Sequence, residues 1–254
     1  MRKWIVCVTV VAAGSVITQA QWLKLPLPDT PRNADGTPNL SAPTPRTPDG
    51  NPDLSGIWRI TQADFKFARN LASENPDVSL FPAAEALYKR RLTSDGAGRP
   101  SERCLPDTVP DGWLLGNPIK VVQTPRVTLV LYEQMNHYRQ VFTDGRKFPD
   151  NIEPTWLGYS VATWVGNTLV AETVGLGEQT WLDTRGHPHS DVLRLTERFH
   201  RTDFGHIQIE FTINDPKTYR KPWNATVHFD LMPDTELIEN ICENERDAAH
   251  ITGK

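Results

Sequence analysis

Beyond its first twenty residues the 254-residue chain has no run approaching the roughly 18–20 apolar residues that a membrane span needs. Cysteine is scarce, at three, and the spacing gives neither a zinc ribbon nor a redox Cys-x-x-Cys. No charge sign dominates: 27 Lys and Arg stand against 31 Asp and Glu, a net −4 that does not favour a nucleic-acid partner. There is no Gly-x-Ser-x-Gly elbow, no phosphate-cradling glycine loop and no Gly-x-Gly-x-x-Gly. Serine hydrolase, NTPase and nicotinamide chemistries are therefore not expected, and no cofactor is called for. What is abundant is proline, 21 against 16 glycines, which implies many rigid, non-helical connections.

Residues 1–20 read as a secretory signal peptide: Arg2-Lys3, an apolar stretch from Trp4 to Ile17, then Thr18-Gln19-Ala20. The competing reading is an uncleaved anchor. Cleavage would remove Cys7, Arg2 and Lys3, leaving 25 cations against 31 anions and a mature chain without a membrane span, secreted or periplasmic. Cys104 and Cys242 would then be the two thiols in an oxidising compartment, suited to one disulfide.

Residues 21–52 lack any hydrophobic period and read as an extended Pro-rich arm, with residues 53–254 as a single domain. The arm holds a near-repeat, Pro31-Arg-Asn-Ala-Asp-Gly-Thr-Pro-Asn-Leu-Ser-Ala and Pro45-Arg-Thr-Pro-Asp-Gly-Asn-Pro-Asp-Leu-Ser-Gly. One accessory helix is predicted over 82–91, opened by proline and lying against the sheet. Strands are predicted at 56–61, 119–123, 126–133, 137–143, 159–165, 168–174, 192–200, 206–213, 224–231 and 236–240. Gly166-Asn167 suits a two-residue hairpin turn. The expected fold is mainly β: an antiparallel, barrel-like sheet of lipocalin or calycin type, with a ligand cavity.

The opening Asp53-Leu54-Ser55-Gly56-Ile57-Trp58 resembles the Gly-x-Trp start of calycin barrels. Over roughly 45–225 the chain also resembles an abundant family of exported bacterial proteins. The matching segments are that entry, Thr143-Asp144-Gly145-Arg146, Trp164 to Thr173, Gly186-His187-Pro188-His189-Ser190, Glu197-Arg198-Phe199 and Lys221-Pro222-Trp223. The resemblance implies bacterial export and a β-rich fold, and it brings no reaction with it.

Strand phase nominates the chemistry. Glu133 follows Val127, Leu129 and Leu131 at even spacing, Glu172 lies between Val170 and Val174, and Glu197 lies between Leu195 and Phe199. Three inward glutamates would form an acidic floor able to act as general acid and base. Alternatively, Arg139, Arg194 and Arg198 neutralise them as structural pairs.

His187 and His189 invite a metal reading, with His206 and His228 as distant ligands, but the glutamate spacing does not match a cupin. His189 is instead expected at the cavity mouth as a proton or hydrogen-bond donor. Glu133 and His137 are four apart, but on strands, which rejects a zincin half-site. Trp58 is assigned to the core, whereas Trp156, Trp164, Trp181 and Trp223, with Arg139, Arg198 and His187, are candidate ligand contacts.

The expected function is an exported, cofactor-independent acid–base enzyme, of lyase, isomerase or hydrolase type, acting on a small carbohydrate or aromatic compound. The alternatives are a non-catalytic small-ligand-binding barrel and an envelope structural protein. Metal dependence and oligomeric state are not legible.

Overall fold

A computed structural model describes residues 25–94, 97–238 and 240–242; the leader, with Cys7 and Trp22, lies outside the described residues. Nine strands close into a barrel: β1 (Gly56–Ile60), β2 (Ile119–Gln123), β3 (Val127–Tyr132), β4 (His137–Phe142), β5 (Tyr159–Val165), β6 (Thr168–Val174), β7 (Arg194–Arg201), β8 (His206–Asn214) and β9 (Trp223–Leu231). β9 returns to pair with β1, Trp58 opposite Leu231 and Ile60 opposite Phe229. An odd number of strands cannot alternate direction all the way round. One neighbouring pair must be parallel, and it is β4 with β5, Val141 opposite Ser160. Every other pair is antiparallel.

Alternation is cleanest in β8 and β9, where Ile207, Ile209, Phe211 and Ile213 and then Ala225, Val227 and Phe229 face inward. Gly166 and Asn167 join β5 to β6 in a two-residue turn, with Gly166 at φ 61°, a backbone state that glycine enters without a Cβ penalty. Of the predicted tenth strand at 236–240, the described residues 236–238 and 240 are not in a strand. In its described part the chain runs alongside the barrel, held by Lys120 Nζ on Glu236 (2.5 Å), and ends at the Cys104–Cys242 disulfide.

Two ends can be distinguished. The arm end carries the β2–β3, β5–β6 and β7–β8 turns. There the arm adds two short bonds to the β7–β8 turn, Phe204 N–H to Ala42 O (2.8 Å) and Gly205 N–H to Leu40 O (2.7 Å). The two arm repeats fold into two similar tight loops, each closed by an isolated bridge, Arg32 to Pro38 and Arg46 to Pro52.

The loop end carries the long β6–β7 connection and the helices α1 (Lys66–Arg69), α2 (Pro82–Thr93) and α3 (Asp111–Leu114). The expected helix is thus α2, two residues longer than predicted. Its contacts go to the β6–β7 connection: Tyr88 stacks on His187 (4.1 Å between centroids), and Arg91 lies over Trp181 and donates to Gly186 O. A Cβ on Gly186 would meet the Arg91 side chain at 2.7 Å.

α3 plugs the barrel with Trp113, which packs on Tyr132, Phe199 and Phe229. Trp58, assigned to the core, is 1% exposed and donates to Leu54 O (3.0 Å). The interior is consequently filled: the space left between Trp58, Trp113, Val130, Leu169, Phe199 and Phe229 is about 10 Å³. Among the described residues the central ligand cavity expected from the sequence is not found. None of the described helices is long and apolar enough to cross a membrane.

Candidate functional site

The three glutamates do not converge. Glu197 on β7 points inward as expected and is fully buried. Arg139 on β4 embraces it with both terminal nitrogens, Nη1 to Oε1 at 2.9 Å and Nη2 to Oε2, while Trp113 donates its indole N–H to Oε1 (3.1 Å). Arg139 also donates to Ser160 Oγ (3.0 Å) and Thr173 Oγ1 (2.7 Å), so the pair is enclosed by its own polar shell. Burial favours the neutral form of Arg139, but the Glu197 charge and hydrogen bonds outweigh it and raise its pKa.

Glu172 corrects the expected phase. On β6 the inward residues are Leu169, Ala171 and Thr173, so Val170, Glu172 and Val174 lie on the outer face, and Glu172 pairs there with Arg194 (3.1 Å). The physical reason is that β6 carries apolar residues on both faces, and its inner face is set by Thr173, whose hydroxyl accepts from the buried Arg139. β3 has the same inversion, with Thr128, Val130 and Tyr132 inward. Glu133 follows the strand end and accepts Ile238 N–H (3.3 Å) at the barrel's side, its pKa raised by burial against that bond.

His187 and His189 lie in the β6–β7 connection and are buried, which corrects the placement of His189 at a cavity mouth. His189 has Nε2 against Thr180 Oγ1 (2.6 Å) and Nδ1 against Ser190 O (3.1 Å), and burial lowers its pKa. His187 Nδ1 meets Asp183 Oδ2 at 2.5 Å. Asp183, missed by the sequence reading, is the organiser of this loop. Its carboxylate accepts the backbone N–H groups of Leu71, Arg185, Gly186 and His187 as well. His206 pairs with Asp203 and His228 with Asp64, both away from this loop. Among the described residues no group of three or more His, Cys, Asp or Glu is placed to hold a metal ion.

The candidate aromatic contacts divide. Trp181 and Trp223 are buried, the first beneath Arg91 and the second edge-on to Tyr219. Trp156 is half-buried, its carbonyl accepting the Thr108 hydroxyl (2.8 Å). Trp164 sits at the arm-end rim, half-buried against the core. Arg198 faces outward, 3.8 Å from Glu210.

The large concavity is elsewhere. An open cleft of about 810 Å³ lies at the loop end, among α1, α2, the 99–102 turn and residues 184–185. Lys66, Arg69, Arg91, Arg99 and Arg185 line it against one acidic residue, Glu102. Lys66 is paired with Glu74 (2.5 Å). Arg91 is pulled down to about 10, chiefly by burial, and so keeps its charge at neutral pH. Arg99 Nη2 bridges Asp107 (3.1 Å) and Asp111 (2.6 Å). Arg69 and Arg185 have no side-chain partner among the described residues. Two exposed apolar side chains, Phe65 (45%) and Leu92 (37%), flank the cations.

Behind Arg99, burial pushes Asp111 up to about 8, with Arg99 opposing and Asp107 adding, and it raises Asp107 likewise. Asp111 Oδ1 is buried without a hydrogen bond among the described residues.

No protein-family model matches the chain, and no curated protein matches it in sequence.

Proposed function

We propose that the protein binds a small anionic compound with an apolar or aromatic portion, in the loop-end cleft and not in the barrel. The observation that carries this reading is the concentration of five cations around one concavity of a chain with a net negative charge. Arg69 and Arg185 remain free to meet a carboxylate, sulfate or phosphate, and Phe65 and Leu92 give an apolar body something to lie on. The buried Arg139–Glu197 pair acts as scaffold in this account. Export to an oxidising compartment is part of the proposal, and the Cys104–Cys242 disulfide supports it.

Calorimetric titration with phenyl phosphate and benzoate, against benzyl alcohol as the uncharged counterpart, tests it. The anions should bind at least about tenfold more tightly than the alcohol, and Arg69→Ala/Arg185→Ala should remove most of that difference. Equal affinity for the uncharged compound, or an unaffected double variant, would overturn the reading.

Acid–base catalysis is the second reading, and what favours it is the Arg99 link. This guanidinium both lines the cleft and holds Asp107 and Asp111 behind it. A carboxyl still protonated near neutral pH is a proton donor in waiting. On this reading the acid is Asp111, because both oxygens of Glu197 are already committed. Mass spectrometry of phenolic acids and uronates incubated with the protein should then reveal a product that the Asp111→Asn variant does not make; no product with the unaltered protein would leave binding alone.

A further inference from the structure

A second concavity, of about 220 Å³, opens at the opposite, arm end of the barrel. It lies where the second arm repeat meets the β2–β3 turn and the ends of β4 and β5, and its lining differs in kind from the cationic cleft. Among the described residues no cation lines it, and its one charged group is Asp49. Trp164, in phase with the inward Ser160 and Ala162, forms a flat apolar wall.

The hydroxyls of Thr47, Thr124 and Thr143 are each donated to a backbone carbonyl, of Asn51, Val127 and Pro125 respectively, so toward a ligand they offer lone pairs. Thr128 is 3% exposed, lines both this pocket and the core, and its hydroxyl has no hydrogen-bond partner among the described residues. A buried unpartnered hydroxyl is costly, and here it borders an open polar space.

The arm repeat supplies an internal comparison. Both copies close with the same backbone bonds, Asn33 N–H to Thr37 O and Thr47 N–H to Asn51 O, then Gly36 N–H to Asn33 O and Gly50 N–H to Thr47 O. In the first copy Asp35 is consumed locally, accepting the Thr37 amide (3.0 Å) and hydroxyl (2.6 Å). In the second copy Asn51 replaces that threonine, and Asp49 has no partner among the described residues. The copy that lost the internal acceptor bond is the one that borders the pocket.

We propose that this arm-end pocket binds a neutral sugar ring, seated on Trp164 and donating its hydroxyls to Asp49 and the threonine oxygens. The C–H face of a pyranose matches an indole, and its ring of hydroxyls matches neutral acceptors spread around one carboxylate. An anion would meet Asp49 with no cation to offset it. A quaternary ammonium would have a single aromatic wall instead of a cage. This site shares no residue with the cationic cleft, so either reading can fail without the other.

The test is a titration of the isotope-labelled protein with the methyl glycosides of glucose, galactose, mannose and xylose, following the tryptophan indole N–H resonances by NMR. At least one glycoside should shift the Trp164 signal, assigned by its loss in Trp164→Phe, to saturation. Asp49→Ala, in an exposed loop where folding is not at stake, should weaken that binding by roughly tenfold. Trp164→Ala, which lacks that reporter and is followed by calorimetry, should weaken it at least as much. Three results would overturn the proposal: no shift with any of the four, undiminished affinity in Asp49→Ala, or tighter binding of tetramethylammonium than of any glycoside.

Discussion

Arg139 and Glu197 form a bidentate ion pair sealed inside the barrel, spanning the two strands between them by way of Ser160 and Thr173. Such a pair contributes less to stability than its contacts suggest, because both charges have left water, yet breaking it is expensive. Arg139→Met should destabilise the fold by about 3–5 kcal/mol, since it strands a carboxylate in the core. Arg139→Met/Glu197→Leu, which removes both charges, should recover a large part of that loss. Urea denaturation of the two variants decides it; a double variant no more stable than Arg139→Met would refute the scaffold role of the pair.

Asp111 gives a pH prediction. Its folded-state pKa is raised from 3.8 to about 8, so between those values the folded protein holds a proton that the unfolded chain releases. This contribution to stability is present at low pH, declines as pH rises through that window, and is level above it. Asp111→Asn removes the titration. The stability of Asp111→Asn relative to the unaltered protein should improve steadily from about pH 4 to about pH 8 and then flatten. A difference that stays constant with pH, measured by urea midpoints across the window, would show that this carboxyl is not held protonated.

The barrel was legible in the sequence because β7, β8 and β9 alternate sharply, their outer positions filled by Arg194, Arg198, His200 and Glu210. β3 and β6 carry apolar residues on both faces, so alternation there is ambiguous, and side-chain size points to Val127, Leu129 and Leu131 and to Val170 and Val174 as the inner set. The structure puts Thr128, Ala171 and Thr173 inside instead. Asp183 was missed because a carboxylate that caps a loop leaves no period to read. The cleft was missed for a different reason: its cations come from four separate stretches, α1 with Lys66 and Arg69, α2 with Arg91, then Arg99 and Arg185, which only the fold brings together.

The Cys104–Cys242 bond, which the sequence did suggest, ties the loop end to the segment that follows β9 across 138 residues. Constraining so long a loop in the unfolded chain is expected to contribute about 2–5 kcal/mol. Cys104→Ser/Cys242→Ser should lower the urea midpoint accordingly. It should also make the segment after Glu236 an early site of proteolytic cleavage, because that stretch lies beyond the Arg32–Asp234 pair and is otherwise held by Ile238 N–H on Glu133 and Asn240 N–H on Asn136. An unchanged midpoint together with unchanged cleavage would show that the bridge adds nothing to the packing.

Asp183 is expected to be the most sensitive single position of the loop end. One of its oxygens accepts three successive backbone N–H groups, of Arg185, Gly186 and His187, and the other accepts Leu71 N–H and faces His187 Nδ1. Asp183→Asn preserves shape but turns an N–H₂ group toward the Leu71 N–H or the three-amide cradle, so at least one buried donor must go unsatisfied. The cost should be about 2–3 kcal/mol, more than that of Glu172→Gln on the outer face, which should stay within about 0.5 kcal/mol. Because the His187 ring then loses its anchor, the Tyr88–His187 stack should loosen as well, visible as a shift of the Tyr88 ring resonances. If Asp183→Asn proved as mild as Glu172→Gln, with the Tyr88 signals unmoved, the loop would have to be held by Arg91 and Trp181 and not by this carboxylate.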